Sequence, residues 1–141
     1  MKRTVSSIAA AFIMLTSFSS FAAEKSGPTT VSNSKTLVNN YVAATTLGQS
    51  AFSKDDLTKD FSYENATNGD RYGKKAYSHF IQKNKGLTYD CTANYEILTE
   101  TAEVCTAKAT MQFANFTRVD LITLTHSAAG WKVAKVVTTY P

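Results

Sequence analysis

The chain has 141 residues, with 15 Lys plus Arg facing 11 Asp plus Glu for a formal charge of +4. Apolar residues make up 43% and charged residues 18%, so one domain with a buried core is affordable while a multidomain, coiled-coil or collagen-like chain is excluded.

Residues 1–22 read as a cleaved secretory signal. Lys2 and Arg3 form a basic start, Ile8 to Phe18 is apolar apart from Thr16 and Ser17, and Ser20-Phe21-Ala22 places small residues where a signal peptidase reads. The apolar run is shorter than the ~20 residues a bilayer span needs, and no Cys marks a lipoprotein cleavage point. The expectation is cleavage after Ala22, export to a periplasmic or extracellular location, and no membrane insertion afterwards. Losing Lys2 and Arg3 leaves 13 bases against 11 acids. The remaining bases are scattered, with Lys74-Lys75 and Lys83, Lys85 flanking one predicted helix. A nucleic-acid binder needs a basic stripe interleaved with aromatics, so no nucleic-acid partner is expected.

Residues 23–31 are a polar leader containing Gly27-Pro28, and 32–141 form the domain. Leu37, Val38, Tyr41, Val42 and Thr45 share one face of a first helix, with Gly48 placed as its left-handed cap. Ser53 and Asp56 resemble a capping box that opens a short second helix through Leu57. Phe61 to Asn65 reads as a strand and Asn68-Gly69 as a tight turn. Ala76, Tyr77, Phe80 and Ile81 mark the buried face of a third helix ending near Gly86.

Beyond Gly86 the period changes to two. Strands are expected over 87–98, 103–113, Arg118 to Thr125 and Trp131 to Tyr140, joined by short turns into an antiparallel meander. A turn near Glu100 sets Cys91 opposite Ala109 and Cys105 opposite Tyr95. Two cysteines in an exported chain raise a disulfide, but four rungs, roughly 13 Å at strand rise, exceed what a bridge tolerates. Free thiols are the favoured reading. The last strand carries apolar residues on both faces, with Trp131, Val133 and Val137 on one and Ala134, Val136 and Tyr140 on the other. That surplus predicts a homodimer through the outer sheet face, whereas a mid-strand bulge would instead switch parity and turn the apolar residues inward.

Helix, short helix, short strand, helix and four long strands resemble the nuclear-transport-factor-2-like superfamily. The resemblance covers about residues 32–140 and is carried most by Phe61-Ser62-Tyr63-Glu64-Asn65 and Gly130-Trp131-Lys132-Val133. The group includes ketosteroid isomerases, SnoaL-type cyclases and small secreted bacterial domains provisionally called lumazine-binding. It implies an α+β fold with three N-terminal helices packed in a strongly curved, mainly antiparallel sheet, a cystatin-like cone. Ketosteroid isomerases combine a carboxylate base with an oxyanion hole made of a Tyr and a second acid. The resemblance puts that Tyr at Tyr41, with Gly48 in register, the base at Asn65 and the second acid near Thr123. An amide cannot take a proton at neutral pH, so the base is lost and no catalytic residue is assigned.

Two orientations of the strand Arg118 to Thr125 remain open. In the favoured one Thr123 faces the cone with Val119 and Leu121, leaving Asp120 outside with Arg118 and His126. A two-residue turn at Asn115-Phe116 would pair Met111 with Asp120 inside, because a one-residue slip moves every side chain to the other face. No cluster of His, Cys, Asp and Glu has metal-ligand spacing, since His79 and His126 stand alone, and no phosphate loop or nucleophile turn occurs. No metal or cofactor is expected. The candidate pocket consists of Tyr41, Asn65, Tyr95, Met111, Phe113, Leu121, Thr123 and Tyr140, suited to a small apolar or aromatic ligand. The same residues could equally fill the core. A secreted, non-catalytic binding or interaction domain is expected, with a SnoaL-like isomerase, cyclase or hydratase as the alternative.

Overall fold

A computed structural model describes residues 33–141, so the signal and leader readings fall outside the described residues. Asn33 starts the first helix, its side-chain oxygen accepting from Thr36 N at 2.8 Å. Helix α1 (Ser34–Leu47) buries Leu37, Val38, Tyr41, Val42 and Thr45, the stripe read from the sequence. Gly48 ends it at φ 63°, in the left-handed region. A Cβ there would lie 2.6 Å from the backbone nitrogens of Gly86 and Leu87, so space as well as φ requires glycine.

The capping box is present: Asp55 N donates to Ser53 Oγ and Ser53 N to Asp56 Oδ2. It opens only a single 3₁₀ turn (Lys54–Asp56), because the chain turns extended at Leu57. Two α-helices and one short turn therefore replace the three helices expected. Strand β1 (Leu57–Asn65) runs into a turn in which Asn65 N donates to Asp70 O at 2.8 Å and Gly69 takes φ 83°. A three-residue strand, β2 (Arg71–Gly73), pairs back antiparallel on β1 and leads into helix α2 (Lys74–Lys83).

Strands β3 (Thr92–Glu100), β4 (Val104–Gln112), β5 (Thr117–Ser127) and β6 (Gly130–Thr139) form the meander. The six strands make one sheet in the order β2-β1-β6-β5-β4-β3, antiparallel except for the β1–β6 pair. The architecture is α+β, with both helices on the same face of this mixed sheet. Helix α1 lies over β3, β4 and β6, and α2 over β1 and β2. Between them sits a core that includes Tyr41, Phe52, Leu57, Met111, Ile122, Leu124, Val133 and Val136.

Three details of register differ from the expectations. The β3–β4 pairing sets Tyr95 opposite Ala109 and, past a register shift at Leu98, Glu100 opposite Cys105. Cys91 lies at the far end of that hairpin, and both thiols are free, separated by more than the four rungs counted from the sequence. The β4–β5 turn is the pair Ala114-Asn115, closed by Phe113 N donating to Phe116 O at 2.9 Å. Met111 is thus opposite Arg118, and Ala109 opposite Asp120. This phase turns Asp120, Ile122 and Leu124 inward and Leu121 and Thr123 outward, the reverse of the favoured orientation.

The third detail lies in β6. Thr123 pairs with Lys135 but Leu124 pairs with Val133, leaving Ala134 as an extra residue. The bulge switches parity, so Val133 and Val136 are both buried. The two-faced apolar pattern that suggested a dimer is largely taken up within the strand, with Val137 the main apolar residue still facing out.

Candidate functional site

The inward phase of β5 carries a charge into the core. Asp120 is 0% exposed, and its carboxylate accepts four hydrogen bonds. Arg118 Nε donates to Oδ1 at 2.9 Å and Arg118 Nη2 to Oδ2 at 2.8 Å. Thr138 Oγ1 donates to Oδ1 at 2.6 Å, and Tyr41 Oη donates to Oδ2 at 2.7 Å. Arg118 and Asp120 are two apart on one strand, so both point inward. Val119 pairs with Thr139 and Asp120 with Thr138, which brings β6 into the same cluster. The Tyr41 hydroxyl in turn lies 2.9 Å from that of Tyr77 on α2. Because Tyr41 spends its proton on Asp120, Tyr77 is the donor in that second bond.

The electrostatics follow from burial. Burial pushes the Tyr41 hydroxyl well above the usual tyrosine range, and the nearby Asp120 carboxylate adds to the shift. Burial also raises Tyr77, again with help from Asp120. Desolvation opposes the charge on Arg118, but the Asp120 carboxylate outweighs it and holds the guanidinium above its ordinary value. Asp120 thereby holds the guanidinium in its charged form. An acid so enclosed cannot reach a substrate, so Asp120 positions Arg118 and does not act as an exposed base.

Arg118 is the link from this cluster to a cavity. A cavity of about 430 Å³ opens between α2 and the β1–β2 hairpin, walled by Tyr63, Tyr72, Tyr77, Phe80 and Tyr140. Tyr63 stacks between Tyr72 and Tyr77, with ring centroids 5.7 and 4.9 Å away. Ala76 adds a small wall residue, while Asn65, Asp70, His79 and Lys83 complete the lining. Arg118, its side chain only 14% exposed, forms the deep polar end.

Of the residues named from the sequence, Asn65 and Tyr140 line this cavity. Asn65 has a structural task as well: its Oδ1 accepts from Thr67 N at 3.0 Å and Asn68 N at 3.4 Å, holding the turn after β1. Tyr41 and Met111 are packed into the core instead. Tyr95 lies on a separate groove with Asn39, Val42 and Cys91. Phe113 stacks on Phe116 at the β4–β5 turn, with centroids 4.5 Å apart. Leu121 (41% exposed) and Thr123 belong to the outer face, so neither can line the cone. The oxyanion-hole role implied for Thr123 fails for that reason, and Tyr41 has its proton committed to Asp120.

The sequence reading missed Tyr63, Tyr72, Tyr77, Phe80 and Arg118 as cavity residues. The helical spacing puts Tyr77 and Phe80 on one buried face, but Phe80 is 44% exposed and turns to the cavity beside the buried Tyr77. A usable signal was present in Arg118-Val119-Asp120: an acid and a base two residues apart on a strand share a face and can pair. Among the described residues no group of His, Cys, Asp and Glu could hold a metal ion.

Solved structures with the same arrangement supply the comparison. A protein of unknown function from Silicibacter pomeroyi, described as NTF-2 like, superposes with a TM-score of 0.58 at 14% identity, covering 76% of this chain and 92% of its own. A second NTF-2 like protein of unknown function, from Pseudomonas aeruginosa, gives 0.56 at 13% identity over 76% and 96% of the two chains. The chain has the nuclear-transport-factor-2-like fold. A third such protein, from Methylobacillus flagellatus, gives 0.52 at 17% identity over 74% of this chain and 86% of that one. No family model matches the sequence, and no curated protein matches it. The likeness is therefore one of fold, and this fold carries both binders and enzymes.

Proposed function

We propose that the protein is an exported, non-catalytic domain that binds a small, flat apolar or aromatic molecule in the cavity between α2 and the β1–β2 hairpin. The observation that carries this reading is the wall of five aromatic rings around about 430 Å³ of space. Ligand sites of this size are typically mostly apolar with a few fixed polar groups, and Arg118 held by Asp120 is such a group. Two positions where a base would be sought support the non-catalytic part. Asn65 is an amide engaged with its turn, and the buried Asp120 is saturated by donors.

The experiment is mass spectrometry of small molecules retained by protein purified from its native host, repeated on Ala76→Trp. Ala76 is an exposed cavity residue, so the larger ring should plug the site and leave the fold intact. A specific molecule present in the wild type and missing from Ala76→Trp supports the reading, while no difference between them overturns it. Robust turnover of a β,γ-unsaturated ketone or a related enolisable substrate would instead favour the isomerase alternative, with His79 and Asp70 on the cavity lining as the groups to mutate. N-terminal sequencing of the exported protein should begin at Ala23.

The reading extends to a homodimer through the outer sheet face, now resting on Leu121 and its partner Val137. Light scattering at micromolar concentration should give the mass of two chains. Leu121→Glu should dissociate them without unfolding, and a one-chain mass in the wild type would end this part of the proposal.

A further inference from the structure

We infer that the ligand of the cavity is a planar aromatic carboxylate, its anionic group held by the free edge of the Arg118 guanidinium. This rests on the reading of the cavity as a binding site and names the chemistry that would fill it. A guanidinium has five N–H groups in a rigid plane. Asp120 occupies one edge, through Nε and Nη2. The other edge, formed by Nη1 and the second hydrogen of Nη2, has no protein acceptor among the described residues. It is not sealed in the core either, because Thr58 Oγ1 is the one fully buried side-chain polar atom left without a partner there. The Arg118 side chain keeps 14% of its surface exposed, and the space that it lines is the cavity.

That free edge is a two-pronged donor matched to the two oxygens of a carboxylate. Its orientation is already fixed by Asp120 and, through Asp120, by Thr138 and Tyr41. A ligand thus meets a donor that needs no ordering, which favours affinity. The aromatic half of the ligand follows from the walls: the stacked Tyr72–Tyr63–Tyr77 column, with Phe80 and Tyr140 also on the lining. Charge argues for one carboxylate and against a phosphate. Asp120 already balances Arg118, and Lys83 is the single ammonium on the lining, with Asp70 opposing it. One added negative charge can be met by these groups, whereas the two of a phosphate monoester cannot.

Isothermal titration of the purified protein with 2-naphthoate and with 2-naphthamide at neutral pH tests the inference. The two probes share size and ring and differ in charge. Hydrogen bonds to charged groups predict that the acid binds about tenfold more tightly or better. Arg118→Lys keeps a cation for Asp120 but lacks the second edge, and should erase most of that preference. Equal binding of acid and amide by the wild type overturns the carboxylate while leaving the cavity reading standing. Binding of neither overturns both. If Arg118→Lys, folded by circular dichroism, keeps the full preference, the assignment to Arg118 fails. Should that variant not fold, the comparison of acid with amide on the wild type still decides the ligand class.

Discussion

The two helices cover one face of the same sheet, yet the layer between α1 and strand β4 is filled while a cavity opens between α2 and the β1–β2 hairpin. Under α1, strand β4 presents Cys105, Ala107, Ala109 and Met111, all buried. These are mostly small side chains, so the helix can approach closely and Tyr41 fills the remaining space. Under α2 the sheet presents Phe61 and Tyr63, and the helix answers with Tyr77 and Phe80. Rings facing rings stack at 5–6 Å between centroids and do not interdigitate as small and large residues do. The difference shows that the cavity follows from side-chain shape on matching layers, with no gap needed in the backbone. The Tyr41–Tyr77 hydrogen bond joins the two ends.

The largest effect expected is from removing the carboxylate that anchors Tyr41 in that joint. Asp120→Ala leaves Arg118 charged, deep and without its acceptor, and should cost about 3–5 kcal/mol of stability. Urea unfolding monitored by circular dichroism measures it, and a loss under 1 kcal/mol would show that the cluster matters little to the fold.

A matched pair of substitutions sharpens the contrast between the ends. Ala109→Leu adds three carbons where nothing is free and should cost roughly 1–3 kcal/mol. Ala76→Leu, an exposed cavity residue on α2, should stay within about 0.5 kcal/mol of wild type. Similar losses for both would mean that the cavity end is as tightly packed as the core.

Alkaline pH tests the buried tyrosines. In the unfolded chain they ionise near pH 10, whereas Tyr41 and Tyr77 are raised in the fold. Above pH 10 the unfolded chain therefore binds fewer protons than the native one, and stability falls as pH rises. Each tyrosine contributes up to about 1.4 kcal/mol per pH unit until its folded value is reached. Stability from this source is fully present below pH 10. Tyr41→Phe should flatten the slope above pH 10, as read from urea midpoints between pH 9 and 11.

The smallest effect concerns the turn at the cavity lining. Asn65→Ala removes the acceptor for Thr67 and Asn68 and should cost about 1 kcal/mol. Asn65→Asp keeps an acceptor oxygen and should be near neutral by thermal unfolding. Equal losses would mean that the side chain acts there through its amide nitrogen.

Much of the scaffold was legible in the sequence because it depends on short-range pattern. The stripe from Leu37 to Thr45, the glycine at 48 and the alternation of the meander each have a local cause. The cavity was not legible, because it depends on register. Moving the β4–β5 turn to Ala114-Asn115 reversed β5 and brought Asp120 inside, against the rule that a lone polar residue among apolar ones faces out. The partners that make this tolerable, Thr138 and Tyr41, are 18 and 79 positions away. The bulge at Ala134 is the alternative that the two-faced pattern left open: two apolar faces on paper become one in space.

The parallel pairing of β1 with β6 also sets the order in which the molecule can be completed. The inner neighbour of β1 is the final strand of the described chain, more than 70 residues later, so the first half of the sheet has only the three-residue β2 for company until that strand arrives. Such long-range closure makes folding slow, on the millisecond-to-second scale of high-contact-order domains. A chain growing from the ribosome therefore holds β1 only against β2 and α2 until β6 is made.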